Sequence, residues 1–363
     1  MEIHPKHSRK PLLSSINVRN DTGGPSEWIH PGRACPDEFI RKGRSGVGLE
    51  WGIPPFFFPK YSLRLISSIF HLMPHILKNE NLEIHIDHPL EGYHFSRFDW
   101  TGKIIFVKFQ NVDLSTTEKN DGINEHLFGK GLYNEFGIDT ALGFEETKVG
   151  GWFHKIGVGL LKKEDNEYLF HKKYEIDPAT FDMEVAHDKV LIHCNSKAVN
   201  GYAYELKKEI VLHESHFTIN YKLQNKGEKE IHTTEYVHNF IAIDKELMAS
   251  QYHLRFPFPC NPVEIVNPEM KVDPGQHEFT FIGTPSAQFF YGNLSGNETV
   301  DAAWELINTN CQLGIRETGN FQTNKINLWG WSHVISPELF FRIAVKRGQS
   351  VQWSRKYDVF QIP

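Results

Sequence analysis

The sequence predicts an all-β protein built from stacked antiparallel sheets, and three observations support that class. Aromatic residues make up 13% of the 363 residues, including 27 Phe and 8 Trp, enough to fill the space between sheets with large side chains. Long stretches of helical periodicity are scarce. From Asn81 onward, short segments of alternating apolar and polar residues recur between Asn, Gly and Pro, which favours antiparallel sheets over βαβ units.

The first 80 residues differ from the remainder in composition. They mix Pro, Gly, Ser, Arg and Lys up to Gly52, and then give an apolar run, Ile53 to Leu77, that charged residues and prolines interrupt. The run is too broken to span a bilayer, although a short amphipathic helix over Tyr61 to His71 is an alternative. We therefore predict an N-terminal extension, residues 1–80, that is poorly ordered or partly helical, followed by one β domain, residues 81–363.

Charge and cysteine content exclude several classes of protein. The net charge is −6, and no block of Lys and Arg stands out beyond the first 45 residues, so nucleic acid and anionic membranes are not predicted as partners. The start of the chain lacks the apolar segment of a secretory signal. Four cysteines without Cys-x-x-Cys spacing indicate reduced thiols and a cytoplasmic location; they are Cys35, Cys194, Cys260 and Cys311.

The sequence predicts neither a cofactor nor a metal. Residues 129–137, GKGLYNEFG, form a glycine-punctuated loop that lacks the GxxxxGK[ST] pattern of a phosphate-binding loop. His213 and His216 lie in strand-like sequence, so we expect them to face opposite sides of a strand and not to share an ion.

Strands are predicted along most of the β domain. Leu82 to Ile86 alternates, and Lys103 to Val107 follows a turn at Trp100 to Gly102. The other predicted strands share this pattern: Ile156–Leu161, Tyr168–Ile176, Lys189–Cys194, Tyr202–Leu212, Glu278–Ile282, Ala287–Tyr291, Thr299–Ile307, Gln312–Glu317, Lys325–Ser332 and Leu339–Val345.

The most informative stretch is Phe217 to Asp244, which predicts two antiparallel strands. In its first half every second residue is apolar. Asn225-Lys226-Gly227 then supplies hairpin-turn chemistry, and Ile231 to Ile243 resumes as a second strand. His238 sits in that second strand among apolar neighbours, so it is either a packing histidine or a functional one.

Three further side chains are candidates for chemistry. Arg97 lies in an aromatic-rich stretch, where its guanidinium either holds a sugar hydroxyl or pairs with Asp99 at the surface. Glu338 enters a strongly apolar strand, where partial desolvation raises a carboxyl pKa and suits it to act as a base. Trp329, two residues from Trp331, is either a sugar-stacking surface or part of the core.

The order of these features is similar to that of the aldose 1-epimerase, or galactose mutarotase-like, family. The features are the arginine-bearing stretch Gly92 to Trp100, the GLYNEFG loop, the strand–turn–strand unit ending in His238, and Ser336-Pro337-Glu338 before an apolar strand. The resemblance covers Leu82 to Pro363, and the closing segment is most similar to divergent branches that include hexose-6-phosphate epimerases. It implies a galactose mutarotase-like β-supersandwich of antiparallel sheets.

By this resemblance, Glu338 takes the proton of an anomeric hydroxyl while His238 protonates the ring oxygen, and Arg97 holds the sugar. Neither transfer requires a metal or a nucleotide. The sequence departs from the family pattern at two places. The catalytic histidine stands in Val237-His238-Asn239 instead of Asn-His-Ser, and the second family histidine has no clean counterpart, which leaves His126 and Lys130 as substrate-binding candidates beside Trp329.

The resemblance therefore implies an isomerase that interconverts the α and β anomers of a free or phosphorylated hexose. The alternative is a non-catalytic carbohydrate-binding module on the same fold. The joint presence of His238, Glu338 and Arg97 favours the enzyme, because a binding module does not need both an acid and a base. A polysaccharide lyase is a third class, but it would require a Tyr- or Arg-rich cleft that the sequence does not indicate.

Overall fold

The computed structural model describes residues 73–120, 122, 125–272 and 276–362. Within these ranges the structure is built from β-strands, and its helical elements are two short 3-10 turns, Glu125–Leu127 and Ile243–Lys245. The predicted all-β class is confirmed. Most of the predicted N-terminal extension lies in residues 1–72, outside the described residues, and stays a prediction.

The 24 strands are, in chain order, β1 His75–Lys78, β2 Leu82–Ile86, β3 Ile104–Phe109, β4 Val112–Asp113, β5 Leu132–Phe136, β6 Trp152–Lys155, β7 Gly159–Lys162, β8 Ile176–Pro178, β9 Thr180–Val185, β10 Lys189–Asn195, β11 Tyr204–Leu212, β12 His216–Asn225, β13 Ile231–Asn239, β14 Tyr252–Arg255, β15 Glu264–Val266, β16 Met270–Val272, β17 Glu278–Phe281, β18 Phe289–Gly292, β19 Val300–Asn308, β20 Leu313–Thr323, β21 Ile326–Trp331, β22 Val334–Leu339, β23 Phe341–Val345 and β24 Ser350–Gln361.

Two large antiparallel sheets pack against each other. The seven-stranded sheet has the order β1-β2-β3-β5-β13-β23, with β4 beside β3. The ten-stranded sheet has the order β16-β17-β14-β19-β20-β24-β12-β11-β10-β9. Two smaller sheets, β15-β18-β21-β22 and β6-β7-β8, complete the described part of the chain. Strand β1 pairs with β2, so the seven-stranded sheet starts before the predicted boundary at residue 81.

The apolar core lies between the two large sheets. Strand β12 shows how the sequence builds it, because Phe217, Ile219, Tyr221 and Leu223 are all buried while the residues between them are less so. The period-two alternation thus places one face of β12 in the core, as predicted. Strand β24, which lies between β12 and β20 in the ten-stranded sheet, was not predicted from the sequence.

The predicted hairpin between β12 and β13 is wrong. Strand β12 pairs with β11 and β24, whereas β13 pairs with β5 and β23 in the other sheet. The buried side chain of Asn225 explains the difference. It donates to the carbonyl oxygens of Lys229 at 2.7 Å and Val345 at 2.9 Å, which fixes the turn against the end of β23 and carries the chain across the core.

Two other predicted strands are also wrong. Ile156–Leu161 is interrupted by Gly157, which has a φ of 79° and approaches Asp99 so closely that a Cβ would lie 2.1 Å from its carboxylate oxygen. Most of Tyr168–Ile176 is a loop. Its alternating aromatic side chains pack into a local cluster and do not mark the two faces of a β-strand. The ring of Tyr168, for example, packs against that of Phe144 with centroids 5.4 Å apart.

Polar side chains interrupt the core where β13 faces the ten-stranded sheet. Arg355 of β24 donates to Glu235 of β13 at 2.7 Å and to Glu317 of β20 at 2.6 Å, and all three side chains have 0% exposure. We call these three residues the interlayer triad. Trp353 donates to Glu235 and Trp304 donates to Glu317, so both carboxylates have further partners.

The triad fixes which way the residues of β13 point. Since successive side chains alternate between the faces of a strand, Glu235 and Asn239 face the ten-stranded sheet, and Tyr236 and His238 face away from it. The sheet therefore presents His238 on the face opposite to the core.

We expect Arg355→Met to lower the free energy of unfolding by about 3–5 kcal/mol, because it leaves two buried carboxylates without their counter-charge. The matched control is Arg316→Met on β20, since Arg316 pairs with Glu305 at a site where its side chain is 46% exposed, and this change should cost less than about 1 kcal/mol. Urea denaturation of both variants measures the difference, and equal losses would contradict the assigned role of the triad.

Candidate active site

His238 is held on β13 by aromatic neighbours. Its ring stacks on that of Phe240 with centroids 4.1 Å apart and meets the ring of Trp329 edge-on at 5.2 Å. Phe98 and Tyr236 pack at 6.1 and 6.0 Å. The histidine is 2% exposed. Hydrophobic burial thus leaves the imidazole few orientations.

Glu338 reaches His238 from a different sheet. Strand β22 packs across β13, and a bridge between Ile241 and Ile335 fixes how the two segments meet. Oε1 of Glu338 lies 3.4 Å from Nε2 of His238, with side-chain exposures of 6% and 3%. On the other side of the ring, Ser336 Oγ lies 2.7 Å from Nδ1. The structure therefore brings together the two residues that the sequence singled out.

Burial shifts the pKa of both groups toward their neutral forms. Desolvation lowers the pKa of His238 well below its ordinary value, and the positive charge of Arg97 lowers it further. Desolvation raises the pKa of Glu338 to about 8, which Arg97 opposes and Glu135 reinforces. Burial thus favours the neutral imidazole of His238 and opposes ionisation of Glu338, whereas Arg97 favours the carboxylate.

Arg97 is clamped beside the pair. Its Nε donates to Glu135 at 3.0 Å and its Nη1 donates to Glu118 at 2.7 Å. The guanidinium carbon lies 4.5 Å from the ring centroid of Phe98 and 4.9 Å from that of Phe170. The hydroxyl of Tyr236 makes a further side-chain hydrogen-bonding contact with the guanidinium. The guanidinium is therefore held rigidly beside the pair.

The predicted alternative for Arg97, an ion pair with Asp99, is wrong. Asp99 is buried, accepts from the backbone N–H of Thr101 at 2.7 Å and lies 3.6 Å from Lys208. Residues 95–98 form bends instead of a strand, so two residues that are two apart need not share a face.

Glu135 is the polar centre of the site, and the sequence did not indicate a role for this residue. It is fully buried and accepts hydrogen bonds from Arg97, from Lys155 at 3.3 Å and from the hydroxyl of Tyr236 at 2.7 Å. The sequence placed Glu135 in a glycine-punctuated loop. That prediction is wrong, because Leu132–Phe136 is strand β5, which pairs with β13.

The glycines on either side of β5 explain the error. Gly131 has a φ of 61°, and a Cβ there would lie 2.2 Å from the carbonyl oxygen of Ile104, so glycine permits the close approach of two backbones. Gly137, with the same φ of 61°, ends the strand. Glycines that flank a short apolar segment therefore marked the ends of a buried strand.

Of the three remaining predicted site residues, Trp329 contacts the pair formed by His238 and Glu338, whereas His126 and Lys130 do not. Trp329 is half-buried against His238. His126 is exposed in the turn Glu125–Leu127, and the charge of Lys130 acts on Asp87. Neither His126 nor Lys130 makes a hydrogen bond, ion pair or ring contact with His238 or Glu338 among the described residues.

The orientation predicted for His213 and His216 is wrong. The two residues flank the tight turn between β11 and β12, and their rings stack with centroids 4.4 Å apart. The described residues contain no group of three or more His, Cys, Asp or Glu side chains with the geometry of a metal site. They also contain no helix that is long and apolar enough to cross a membrane.

A cleft of about 460 Å³ opens next to the site. Phe340 lines it, and the same ring stacks on Tyr236 with centroids 4.5 Å apart. The other lining side chains are mainly hydroxyls, amides and cations, among them Thr234, Asn324, Lys325 and Arg342. His238 and Glu338 do not line this cleft, so the acid–base geometry, and not the cleft volume, identifies the candidate active site.

Two solved structures have a similar fold. A galactose mutarotase related enzyme from Lactobacillus acidophilus is 12% identical, with a TM-score of 0.51 over 80% of this chain and 100% of its own. A galactose mutarotase-like protein from Lactobacillus casei is 12% identical, with a TM-score of 0.50 over 79% of this chain and 100% of its own. The chain thus has the galactose mutarotase-like fold. The sequence matches no protein-family model and no curated protein.

We expect infrared titration of the carboxyl groups to show Glu338 losing its proton at a pH of about 8, since burial disfavours the carboxylate. Glu338→Gln should remove that transition. Arg97→Met should move it to higher pH, because Arg97 is the strongest of the charges that favour the ionised form.

Lys325→Met is the matched control for Arg97→Met. Lys325 also favours the ionised form of Glu338, but more weakly, so its removal should raise the pKa by less. A wild-type transition near the ordinary glutamate value, or a fall in pKa on loss of Arg97, would contradict this description of the site.

Proposed function

We propose that the protein is an aldose 1-epimerase, or mutarotase, an isomerase that interconverts the α and β anomers of a hexose or related sugar. The observation that supports this most directly is the adjacency of Glu338 Oε1 and His238 Nε2, 3.4 Å apart in a site that excludes most water. The other residues of the site add to this central feature.

The reaction requires an acid and a base that are close together. Anomers interconvert when a proton leaves the anomeric hydroxyl, the bond between C1 and the ring oxygen breaks, and the ring oxygen gains a proton. Both oxygens are bonded to C1, so the acid and the base must reach positions one carbon atom apart. Two side chains whose reacting atoms are 3.4 Å apart meet this requirement.

We assign Glu338 as the base and His238 as the acid. The carboxylate takes the anomeric proton, C1 becomes a carbonyl carbon, and the ring oxygen keeps the electrons of the broken bond and takes the Nε2 proton. The proton acquired by Glu338 then replaces the one lost by His238 across the same contact. After ring opening, Glu338 and His238 therefore have the same protonation states as before it. Rotation about the bond between C1 and C2, followed by the reverse transfers, gives the other anomer.

Arg97 holds the sugar and assists both transfers. Its positive charge favours the carboxylate form of Glu338 and makes the proton of His238 more acidic. The same charge stabilises the negative charge that develops on the ring oxygen. Its partly exposed guanidinium offers N–H donors to a sugar hydroxyl, and the half-buried ring of Trp329 offers an apolar surface to the face of the pyranose. His126 and Lys130 have no assigned role in ring opening.

We propose a neutral hexose, and not its phosphate, as the better substrate. The cations that act on Glu338 are Arg97 and Lys325, and both are already paired, Arg97 with Glu118 and Glu135 and Lys325 with Asp139. A phosphate group would enter a site with no surplus positive charge, whereas phosphate sites supply unpaired donors and cations. The charge balance of the site therefore suits hydroxyl groups.

A non-catalytic carbohydrate-binding protein is the second candidate. The observation that favours it is the cleft of about 460 Å³, whose threonine, amide and cationic side chains suit polyhydroxylated ligands but which neither His238 nor Glu338 lines.

A cytoplasmic location is also part of the proposal, and it is supported by Cys194, Cys260 and Cys311, which are free thiols.

Saturation-transfer NMR over a panel of aldoses tests the enzymatic function. We expect exchange between anomers to exceed the spontaneous rate for at least one sugar, and Glu338→Gln and His238→Ala each to reduce kcat by about 10²-fold or more. His193→Ala and Glu209→Gln, on β10 and β11, are the control variants and should retain full activity. Binding of a sugar without accelerated exchange would favour the non-catalytic candidate.

The same assay compares neutral hexoses with their 6-phosphates. We expect kcat/KM to be higher for the neutral sugars by about tenfold or more, because the phosphate meets paired cations and buried carboxylates. Raising the salt concentration should change the neutral reaction little. A preference for the phosphorylated sugar would contradict the charge balance described for Arg97 and Lys325.

A further inference from the structure

The two nitrogens of the His238 ring are contacted by two residues of the same strand. Ser336 and Glu338 are two apart on β22, so their side chains point to the same face. Ser336 Oγ meets Nδ1 at 2.7 Å, and Glu338 Oε1 meets Nε2 at 3.4 Å. The imidazole is thus held from both edges by a single tripeptide.

The hydroxyl of Ser336 has a restricted hydrogen-bonding role. It accepts a hydrogen bond from the backbone N–H of Asn239 at 3.0 Å, and Ser336 has 0% exposure. Among the described residues, the only acceptor the structure places within reach of the hydroxyl hydrogen is Nδ1 of His238. If Nδ1 carried the proton instead, the hydroxyl hydrogen would be buried without an acceptor, which proteins avoid.

We propose that Ser336 is a positioning residue that donates to Nδ1 of His238 and thereby keeps the ring proton on Nε2. A neutral imidazole has one protonated nitrogen, so a donor at Nδ1 makes Nε2 the N–H that faces Glu338 and the substrate. The backbone supports this arrangement. Pro337 follows Ser336 and confines it to extended conformations, which limits the positions its side chain can take.

The tautomer decides which member of the pair is the acid. Nε2 carrying a hydrogen can donate to a ring oxygen but cannot accept a proton from an anomeric hydroxyl. Glu338 is then left as the only base of the pair. This catalytic consequence rests on the proposed function, whereas the tautomer itself is a property of the unliganded protein and can be observed without any substrate.

Nitrogen-15 NMR of the full chain labelled at histidine measures the tautomer directly. The resonance of His238 is identified by its loss in His238→Ala. We expect the wild-type spectrum at neutral pH to show a protonated Nε2 and an unprotonated Nδ1 that accepts a hydrogen bond. A protonated Nδ1 in the wild-type protein would overturn the proposal, whether or not the protein proves to be an enzyme.

Variants at Ser336 provide the second measurement. Ser336→Ala should allow the Nδ1 proton and lower kcat roughly tenfold while KM changes by less than about twofold, because the acid is misplaced and the sugar contacts remain. Ser336→Thr retains the hydroxyl and should restore both the tautomer and most of the rate. If Ser336→Ala is folded and keeps the wild-type tautomer, Ser336 does not set it, and the proposal fails.

The outcomes separate this inference from the proposed function. The predicted tautomer together with no acceleration of anomer exchange for any sugar supports Ser336 as the positioning residue and removes the mutarotase function. Accelerated exchange together with a protonated Nδ1 supports the mutarotase function and removes the positioning role proposed for Ser336. If Ser336→Ala does not fold, the wild-type spectrum and the Ser336→Thr variant still decide the tautomer.

Discussion

The contact between Arg355 and the carboxylates of Glu235 and Glu317 is the constraint on which the rest of the structure depends. It joins strand β13 of one sheet to two strands of the other, and it does so with charges that are fully removed from water. Such a group is expensive to bury, and the loss of either carboxylate or of the guanidinium would leave a buried charge uncompensated. The register of β13 is therefore fixed, and with it the side of the sheet on which His238 appears.

The sequence predicted the parts of the fold that depend on local periodicity. The alternation in β12 correctly identified its buried face, and the aromatic content correctly indicated an all-β class. It did not show which strands are neighbours, because pairing depends on contacts between distant residues. The turn at Asn225 has the composition of a hairpin, yet the carbonyl of Val345, 120 residues away, decides where it leads. For the same reason the interlayer triad, formed by one residue from each of three strands, has no local signal.

The candidate site likewise contains residues that the sequence could predict and residues that it could not. His238 and Glu338 stood out because each is a titratable residue in an apolar strand, and the structure places them in contact. Glu135 was missed because its segment was interpreted as a loop. Arg97 was identified, but its carboxylate partners could not be, since Glu118 and Glu135 reach it from separate elements. The period of two residues in Ser336-Pro337-Glu338 did contain a usable signal, because it places a hydroxyl and a carboxyl group on one face of the strand.

A fold shared with mutarotase-like proteins does not by itself establish an activity, so the functional conclusion rests on the side chains of the candidate site.

The crossing of the chain between sheets at Asn225 has a consequence for biosynthesis. Strand β13 does not pair with its immediate predecessor. It pairs with β5, which precedes it, and with β23, which follows later, while His238 meets Ser336 only across 98 residues of sequence. Folds dominated by such distant pairings have a high contact order and form slowly. As the chain leaves the ribosome, β13 and its histidine emerge well before β22 and β24, so the acid–base pair is assembled at the end of synthesis. Until β23 is made, one edge of β13 is unpaired and open to association with other chains, so folding competes with aggregation during that interval.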